Sequence, residues 1–146
     1  MNFGFWIADF GIPSGTMNEE DLKQRTKTFA LRILKLAAAL PRSIEADVIR
    51  RQIVRSGTPV AANYRSSCRA KSADDFAYKL SVVEEEADET ALWLELIVAD
   101  GMLSAGQIEP LLHEASEITA IMVASLRTVR GSRSRTNPKS QIQNQK

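Results

Sequence analysis

Residues 72–101 read SADDFAYKLSVVEEEADETALWLELIVADG, and their apolar spacing indicates the fold class. Apolar or small side chains recur every three or four positions, at Phe76, Leu80, Val83, Ala87, Thr90, Leu94 and Ile97. This spacing follows the 3.6-residue turn of an α-helix and places all of them on one face. Ser72 can cap a helix N-terminus, and Gly101 suits the left-handed conformation that ends a helix. The segment therefore predicts a helix that ends near Asp100 and buries one face.

The preceding segment carries an apolar stripe with smaller and more polar side chains. A helix is predicted from about Ile44 to Ala70, and its stripe consists of Ile49, Ile53, Ser56, Val60, Asn63 and Ser67. Pro59 lies inside this helix, has no backbone N–H and should clash with the carbonyl of Arg55. We therefore expect a kink at Pro59.

Two outer segments complete the pattern. The first helix is predicted from about Glu19, after Asn18 as N-cap, to Leu40, and it stops at Pro41. Its stripe consists of Leu22, Thr26, Phe29, Ile33, Leu36 and Leu40. The fourth helix is predicted to open at Ser104, which forms a capping box with Gln107. Its stripe consists of Leu111, Ala115, Ile118, Met122 and Ser125.

Four amphipathic helices with short connections predict an all-α fold, an antiparallel up-and-down four-helix bundle. The bundle is predicted to occupy residues 17–130. Residues 1–16 end in Gly11-Ile12-Pro13-Ser14-Gly15, which cannot continue a helix, and are predicted to form a flexible leader. Residues 131–146 are polar and without periodicity, which predicts a disordered basic tail.

The composition is typical of a globular domain. Of the 146 residues, 44% are hydrophobic and 25% are charged, and the formal net charge is +1. One cysteine, Cys68, excludes an internal disulfide and fits a reducing compartment. No apolar run approaches the ~18 residues of a membrane span, and the N-terminus lacks the basic start of a signal peptide. We therefore expect a cytoplasmic protein with no membrane partner.

The two central helices carry opposite charges. Between residues 50 and 71 the second helix contains no acid and six basic residues, Arg50, Arg51, Arg55, Arg65, Arg69 and Lys71. The third helix contains nine acids and only one basic residue, Lys79. An antiparallel hairpin that turns near residue 72 would place Arg55 beside Glu85, Glu86 and Glu89. This arrangement predicts ion pairing between the two helices.

Two interpretations of the basic second helix remain open. The helix could present a phosphate-binding face, with Arg50, Arg51, Arg55, Arg65 and Arg69 as candidate nucleic-acid contacts. Alternatively, the charges only match those of neighbouring helices, within one subunit or across an oligomer. The basic residues after residue 126 likewise indicate either a nucleic-acid contact or a solvated terminus.

No catalytic or metal-binding constellation is recognisable in the sequence. Acids cluster at Glu84, Glu85, Glu86 and Glu89, but a di-iron bundle also needs Glu-x-x-His on two helices. The only histidine, His113, does not have that spacing, and no serine or cysteine has an identifiable base partner. The sequence therefore predicts no catalytic residue, no metal, no cofactor and no enzymatic activity.

Residues 51–65, RQIVRSGTPVAANYR, are followed by Asp75-Phe76 with Lys79-Leu80, and by Glu89-Thr90 with Trp93-Leu94-Glu95-Leu96. These motifs resemble the small bacterial four-helix bundle proteins known as 23S ribosomal RNA intervening-sequence proteins. The resemblance covers roughly residues 20–126, and Pro59 stands where serine is expected in the family.

The resemblance implies an up-and-down bundle that assembles as a homo-oligomer, typically a pentameric ring, and most members have no assigned activity. Some members are encoded inside ribosomal RNA genes, and relatives serve as accessory factors to retroelement reverse transcriptases. This implies RNA, DNA or a reverse-transcriptase-like partner. The leading hypothesis is a non-enzymatic, self-assembling bundle that binds nucleic acid or a nucleic-acid-processing enzyme. The alternative is a purely structural or protein-interaction module with no nucleic-acid role.

Overall fold

The computed structural model describes residues 17–136, which form four α-helices and, within that range, no strand. The helices are α1 (Glu19–Ala39), α2 (Ile44–Ser67), α3 (Ala73–Ala99) and α4 (Ala105–Thr136). The predicted leader and the last ten residues of the predicted tail lie outside the described residues. Within residues 17–136 no helix combines the length and the apolar character needed to cross a bilayer.

The helices pack as a closed bundle, which confirms the predicted fold class. Each helix packs along the next one in the chain, and α1 also contacts α4. The contact between α1 and α4 is the smallest of the four. Few interactions therefore join α1 to α4, and each one contributes a larger share of the energy that closes the bundle.

Three predicted N-terminal caps and the glycine after α3 are present at the residues that the sequence indicated. Asn18 accepts a hydrogen bond from the backbone N–H of Asp21, whose carboxylate accepts one in return, and the two form a capping box. The hydroxyl of Ser72 accepts from the Asp75 N–H at 3.0 Å. Ser104 and Gln107 form the reciprocal pair at the start of α4. Gly101 has a φ of 78°, where a side chain would be strained.

The predicted stripes form the core. All six stripe residues of α1 are buried, as are all of α3 except Phe76, which is half-buried. In α2 the stripe moves from Asn63 to Tyr64, and in α4 it moves from Ser125 to Leu126. The Asn63 amide instead donates to the Pro59 carbonyl at 3.0 Å, so this polar group is satisfied on its own helix.

Two helix ends differ from the prediction. Helix α2 ends at Ser67 instead of Ala70, because the N–H groups of Arg69 and Ala70 bond carbonyls three residues back and tighten the chain into a turn. Helix α4 continues past Gly131 to Thr136, where a disordered tail was predicted. An existing helix gains one backbone bond for each residue added, which favours extension even through residues of low helix propensity.

Pro59 does not interrupt α2. The helix is continuous from Ile44 to Ser67 with Pro59 inside it. The hydroxyl of Thr58, the residue before Pro59, donates to the Val54 carbonyl at 2.7 Å. A kink at Pro59 remains a prediction.

The bundle interior contains polar side chains as well as apolar ones. The hydroxyls of Ser56 on α2 and Thr90 on α3 lie 2.8 Å apart and share a hydrogen bond in a fully buried layer. Buried hydroxyls need such partners because desolvating an unpaired one is costly. The small stripe of α2 therefore faces a matching polar position on α3.

An ion pair connects α1 to α4. Arg25 is only 7% exposed, and its Nε and Nη2 donate to Oε1 of Glu114 at 2.9 and 2.6 Å. Arg32, two turns along α1, is also buried. Burial lowers the pKa of Arg32, and the nearby Glu114 carboxylate opposes that shift. One carboxylate thus faces two buried cations at the least extensive helix contact.

Candidate nucleic-acid interface

Four of the five predicted arginines are exposed along α2: Arg51, Arg55, Arg65 and Arg69. Three of them, Arg51, Arg55 and Arg65, lie within the helix, and Arg69 follows its last turn. Their spacing places them on the side of α2 that faces away from the core. Within residues 17–136 none of the four forms an ion pair or a side-chain hydrogen bond with another residue. Their guanidinium groups are therefore available to an anionic ligand.

Arg50 is placed differently from the other four. Its guanidinium donates to the backbone carbonyls of Ala37, Leu40 and Pro41 at 3.0, 3.1 and 3.0 Å, and it also pairs with Asp47. Helix α1 has no basic residue in its last turn, so Arg50 supplies the positive charge and the donors that its C-terminus lacks. Arg50 was predicted as a nucleic-acid contact. Its guanidinium instead donates hydrogen bonds within the protein and holds α2 against α1.

The predicted ion-pairing group lies together on α2 and α3, but no direct pair forms. Arg55 is close enough to lower the pKa of Glu86, yet burial and the neighbouring Glu89 and Glu85 carboxylates raise that pKa more strongly. Among the described residues, none of these four side chains has an opposite charge within 4.0 Å. Pairing of Glu85, Glu86 or Glu89 across an oligomer stays a prediction.

The raised pKa of Glu86 predicts a stabilising substitution. Because the folded state holds the ionised carboxylate less favourably than the unfolded state does, Glu86→Gln should raise the free energy of unfolding at pH 7. The gain should disappear below the ordinary glutamate pKa of about 4.3, where both states are protonated. Urea unfolding at pH 7 and pH 3.5 measures this. Glu95→Gln, at an exposed position of the same helix, is the control, and an equal gain there would contradict the assignment.

An exposed apolar patch lies where the start of α2 meets the end of α3. Its large exposed side chains are Ile44 and Val48 on α2 and Leu92 and Leu96 on α3. Ile44, Val48 and Leu96 line an open groove of about 560 Å³, together with Met102. Ile44 is 82% exposed, which is unusual for an isoleucine. Exposed apolar surface of this kind marks interaction sites.

The titratable groups of the described residues show no activated nucleophile. The Cys68 thiol is half-buried and donates to the Tyr64 carbonyl at 3.4 Å, and burial raises its pKa. His113 lies on the surface, 3.6 Å from Glu117. No group of three or more His, Cys, Asp or Glu within residues 17–136 has the geometry to hold a metal ion.

The residues that match a known family are residues that form the bundle. A family model described as 23S rRNA-intervening sequence protein matches residues 18–124. The chain belongs to this family. The matched range covers all of α1, α2 and α3 and most of α4, so the family match and the helical bundle coincide.

A similar protein of known structure has the same fold. It is a protein of unknown function from the S23 ribosomal protein family of Bacteroides thetaiotaomicron, and it is 33% identical to this chain. The alignment covers 72% of this chain and 97% of the relative, with a TM-score of 0.68. A search of curated proteins found no match.

Sequence reasoning did not find two basic residues next to Arg65. Lys23 and Lys27 on α1 line a groove with Ala61, Ala62 and Arg65 of α2. The available signal was their four-residue spacing, which places both lysines on one face of α1 beside the apolar stripe. Only the packing of the helices shows that α2 lies on the same side of this stripe as the two lysines.

Proposed function

We propose that this family member is a non-enzymatic, cytoplasmic, self-assembling bundle that binds nucleic acid through exposed basic residues of α2. The observation that carries this proposal is the row of four exposed arginines, Arg51, Arg55, Arg65 and Arg69, none of which forms an ion pair or a side-chain hydrogen bond in the described part of the chain. The inert environment of Cys68 supports the non-enzymatic assignment.

The length of the arginine row suits a nucleic-acid backbone. From Arg51 to Arg69 the chain rises roughly 27 Å at 1.5 Å per helical residue, a distance that spans about eight phosphates of one strand of a duplex. Arginine also bonds phosphate through two parallel donors, which favours it over lysine at such contacts. The contacts would reach the backbone and not base edges, so we propose binding with little dependence on base sequence.

Titration with a fluorescently labelled structured RNA tests this function. The dissociation constant should rise with salt, and the logarithm of the binding constant should fall linearly with the logarithm of the salt concentration. Replacing Arg51, Arg55, Arg65 and Arg69 together by glutamine should abolish this binding without changing the helical circular dichroism. If the unmodified chain shows no salt-sensitive binding, the proposal is wrong.

The exposed apolar patch favours a second candidate function, that of a purely structural or protein-interaction module. We propose that the patch is covered by a second copy of this chain, in a homo-oligomer that the family resemblance implies is a pentamer. Two features support a copy of the chain as the occupant. The outer face of α2 beside the patch is basic, with Arg51 and Arg55, and that of α3 is acidic, with Glu85 and Glu89. Matching faces of opposite charge suit head-to-tail contact between identical subunits.

A substitution in the patch should dissociate the assembly. Leu96→Lys places a charge in an apolar contact, and we expect the solution mass to fall to that of a monomer in sedimentation or light-scattering measurements. Leu34→Lys is the matched control, because Leu34 on α1 is 44% exposed and Leu96 is 40% exposed. Equal masses for the Leu96→Lys variant and the unmodified chain would remove the patch from the interface. Assembly without any RNA binding would select the second candidate function.

A further inference from the structure

A basic groove lies between α1 and α2, separate from the patch proposed for assembly. Its cavity of about 190 Å³ is lined by Lys23 and Lys27 on α1 and by Ala61, Ala62 and Arg65 on α2. In the antiparallel register that brings Gly57 to Ile33, Lys23 and Lys27 are level with positions 67 and 63 of α2, so Arg65 lies between the two lysines along the groove. Lys27 follows one turn later, about 6 Å along α1.

The cations of this groove are only partly neutralised by the protein. Lys23 lies 3.4 Å from Glu19 and 3.9 Å from Glu20, both of which precede it on α1. Lys27 and Arg65 are exposed, and neither has an ion pair or a side-chain hydrogen bond within residues 17–136. The α2 wall between them offers only the methyl groups of Ala61 and Ala62. The groove lining thus contains three positive charges and no acid.

Convergence of like charges on one groove is unfavourable unless an anion occupies it. The two alanines leave room for such an anion to reach all three cations. Lysine and arginine donors suit phosphate oxygens, and the lining contains no aromatic ring or amide that could read a base. The chemistry of the site is therefore that of a phosphate group, without selectivity for a base.

We propose that the groove of Lys23, Lys27 and Arg65 binds a backbone phosphodiester of an RNA strand. This inference rests on the proposed nucleic-acid function and names where the strand contacts the chain. Arg65 belongs both to the arginine row and to the groove, so the bound strand runs along the α1–α2 side of the bundle. The outer face of α3 and the apolar patch are then left to assembly.

The test compares two double variants that remove the same charge. Lys23→Gln with Lys27→Gln removes the two α1 cations of the groove, which lie outside the arginine row, and Arg42→Gln with Lys71→Gln removes two exposed cations outside both the groove and the row. Binding of a labelled single-stranded RNA oligonucleotide is followed by anisotropy over a salt series. Each lost phosphate contact lowers the log–log salt slope by about 0.7, so loss of the one phosphate proposed for the groove should lower the slope by about that amount. The outside variant should lose less.

The outcomes separate this inference from the proposed function. No salt-dependent binding by the unmodified chain overturns both. Binding that the groove variant weakens no more than the outside variant overturns the groove alone. Inorganic phosphate, compared with chloride at equal ionic strength, should compete poorly with the RNA, and efficient displacement would assign the groove to free phosphate instead. Thermal unfolding of both variants checks that the bundle is intact, which is expected because none of the four side chains is buried.

Discussion

Glu114→Leu is expected to lower the free energy of unfolding by about 3–5 kcal/mol, because it leaves the buried guanidinium of Arg25 without its counter-charge. Both Arg25 donors reach the same carboxylate oxygen, and the two side chains are 7% and 15% exposed. Glu114 also opposes the pKa shift of buried Arg32. The substitution therefore affects two cations at the contact between α1 and α4. Urea unfolding at one fixed protein concentration measures the change, since assembly also contributes to stability.

A matched control and a rescue accompany this prediction. Glu117→Leu makes the same exchange one turn along α4, where the partner is the exposed His113, and it should cost less than about 1 kcal/mol. Adding Arg25→Met to Glu114→Leu replaces the ion pair by apolar groups and should restore most of the lost stability. A Glu114→Leu variant as stable as the Glu117→Leu variant would contradict a buried ion pair at this position.

Gly57→Ala is expected to lower the free energy of unfolding by about 1–2 kcal/mol, although alanine is the better helix former. A Cβ at position 57 would lie 2.8 Å from Cγ2, 3.0 Å from Cγ1 and 3.1 Å from Cβ of Ile33. Ile33 is fully buried and β-branched, so its side chain cannot rotate away easily. The overlap therefore forces α1 and α2 apart, at a cost larger than the helix propensity gained.

Two further variants isolate this steric contact. Gly131→Ala adds the same methyl group to α4, where nothing lies within 4 Å, and should stabilise the chain by up to about 1 kcal/mol. In an Ile33→Ala background, the two closest atoms are gone and Gly57→Ala should cost clearly less than in the unmodified chain. The idea fails if the double-mutant cycle shows no coupling between positions 33 and 57.

Much of the functional reasoning could be started from the sequence but not completed. The sequence indicated a basic α2 and an acidic α3, and the structure brings Arg55 and Glu86 near each other as the hairpin register requires. The sequence could not show that Arg50 and Arg51 have different surroundings. Adjacent helical residues point about 100° apart, and only the position of α1 determines which one meets the carbonyls of Ala37 and Leu40. The lysines of the α1–α2 groove were missed for the same reason.

The four helices, their caps and their buried faces were determined by the sequence itself, because each depends on residues within about four positions of one another. Asn18 with Asp21 and Ser104 with Gln107 are such local pairs. The ion pair of Arg25 with Glu114 and the close approach of Gly57 to Ile33 were decided only by the tertiary structure. Residues so distant along the chain meet only once each helix has its packing neighbours and its rotation about its own axis. The apolar pattern of a single helix specifies neither.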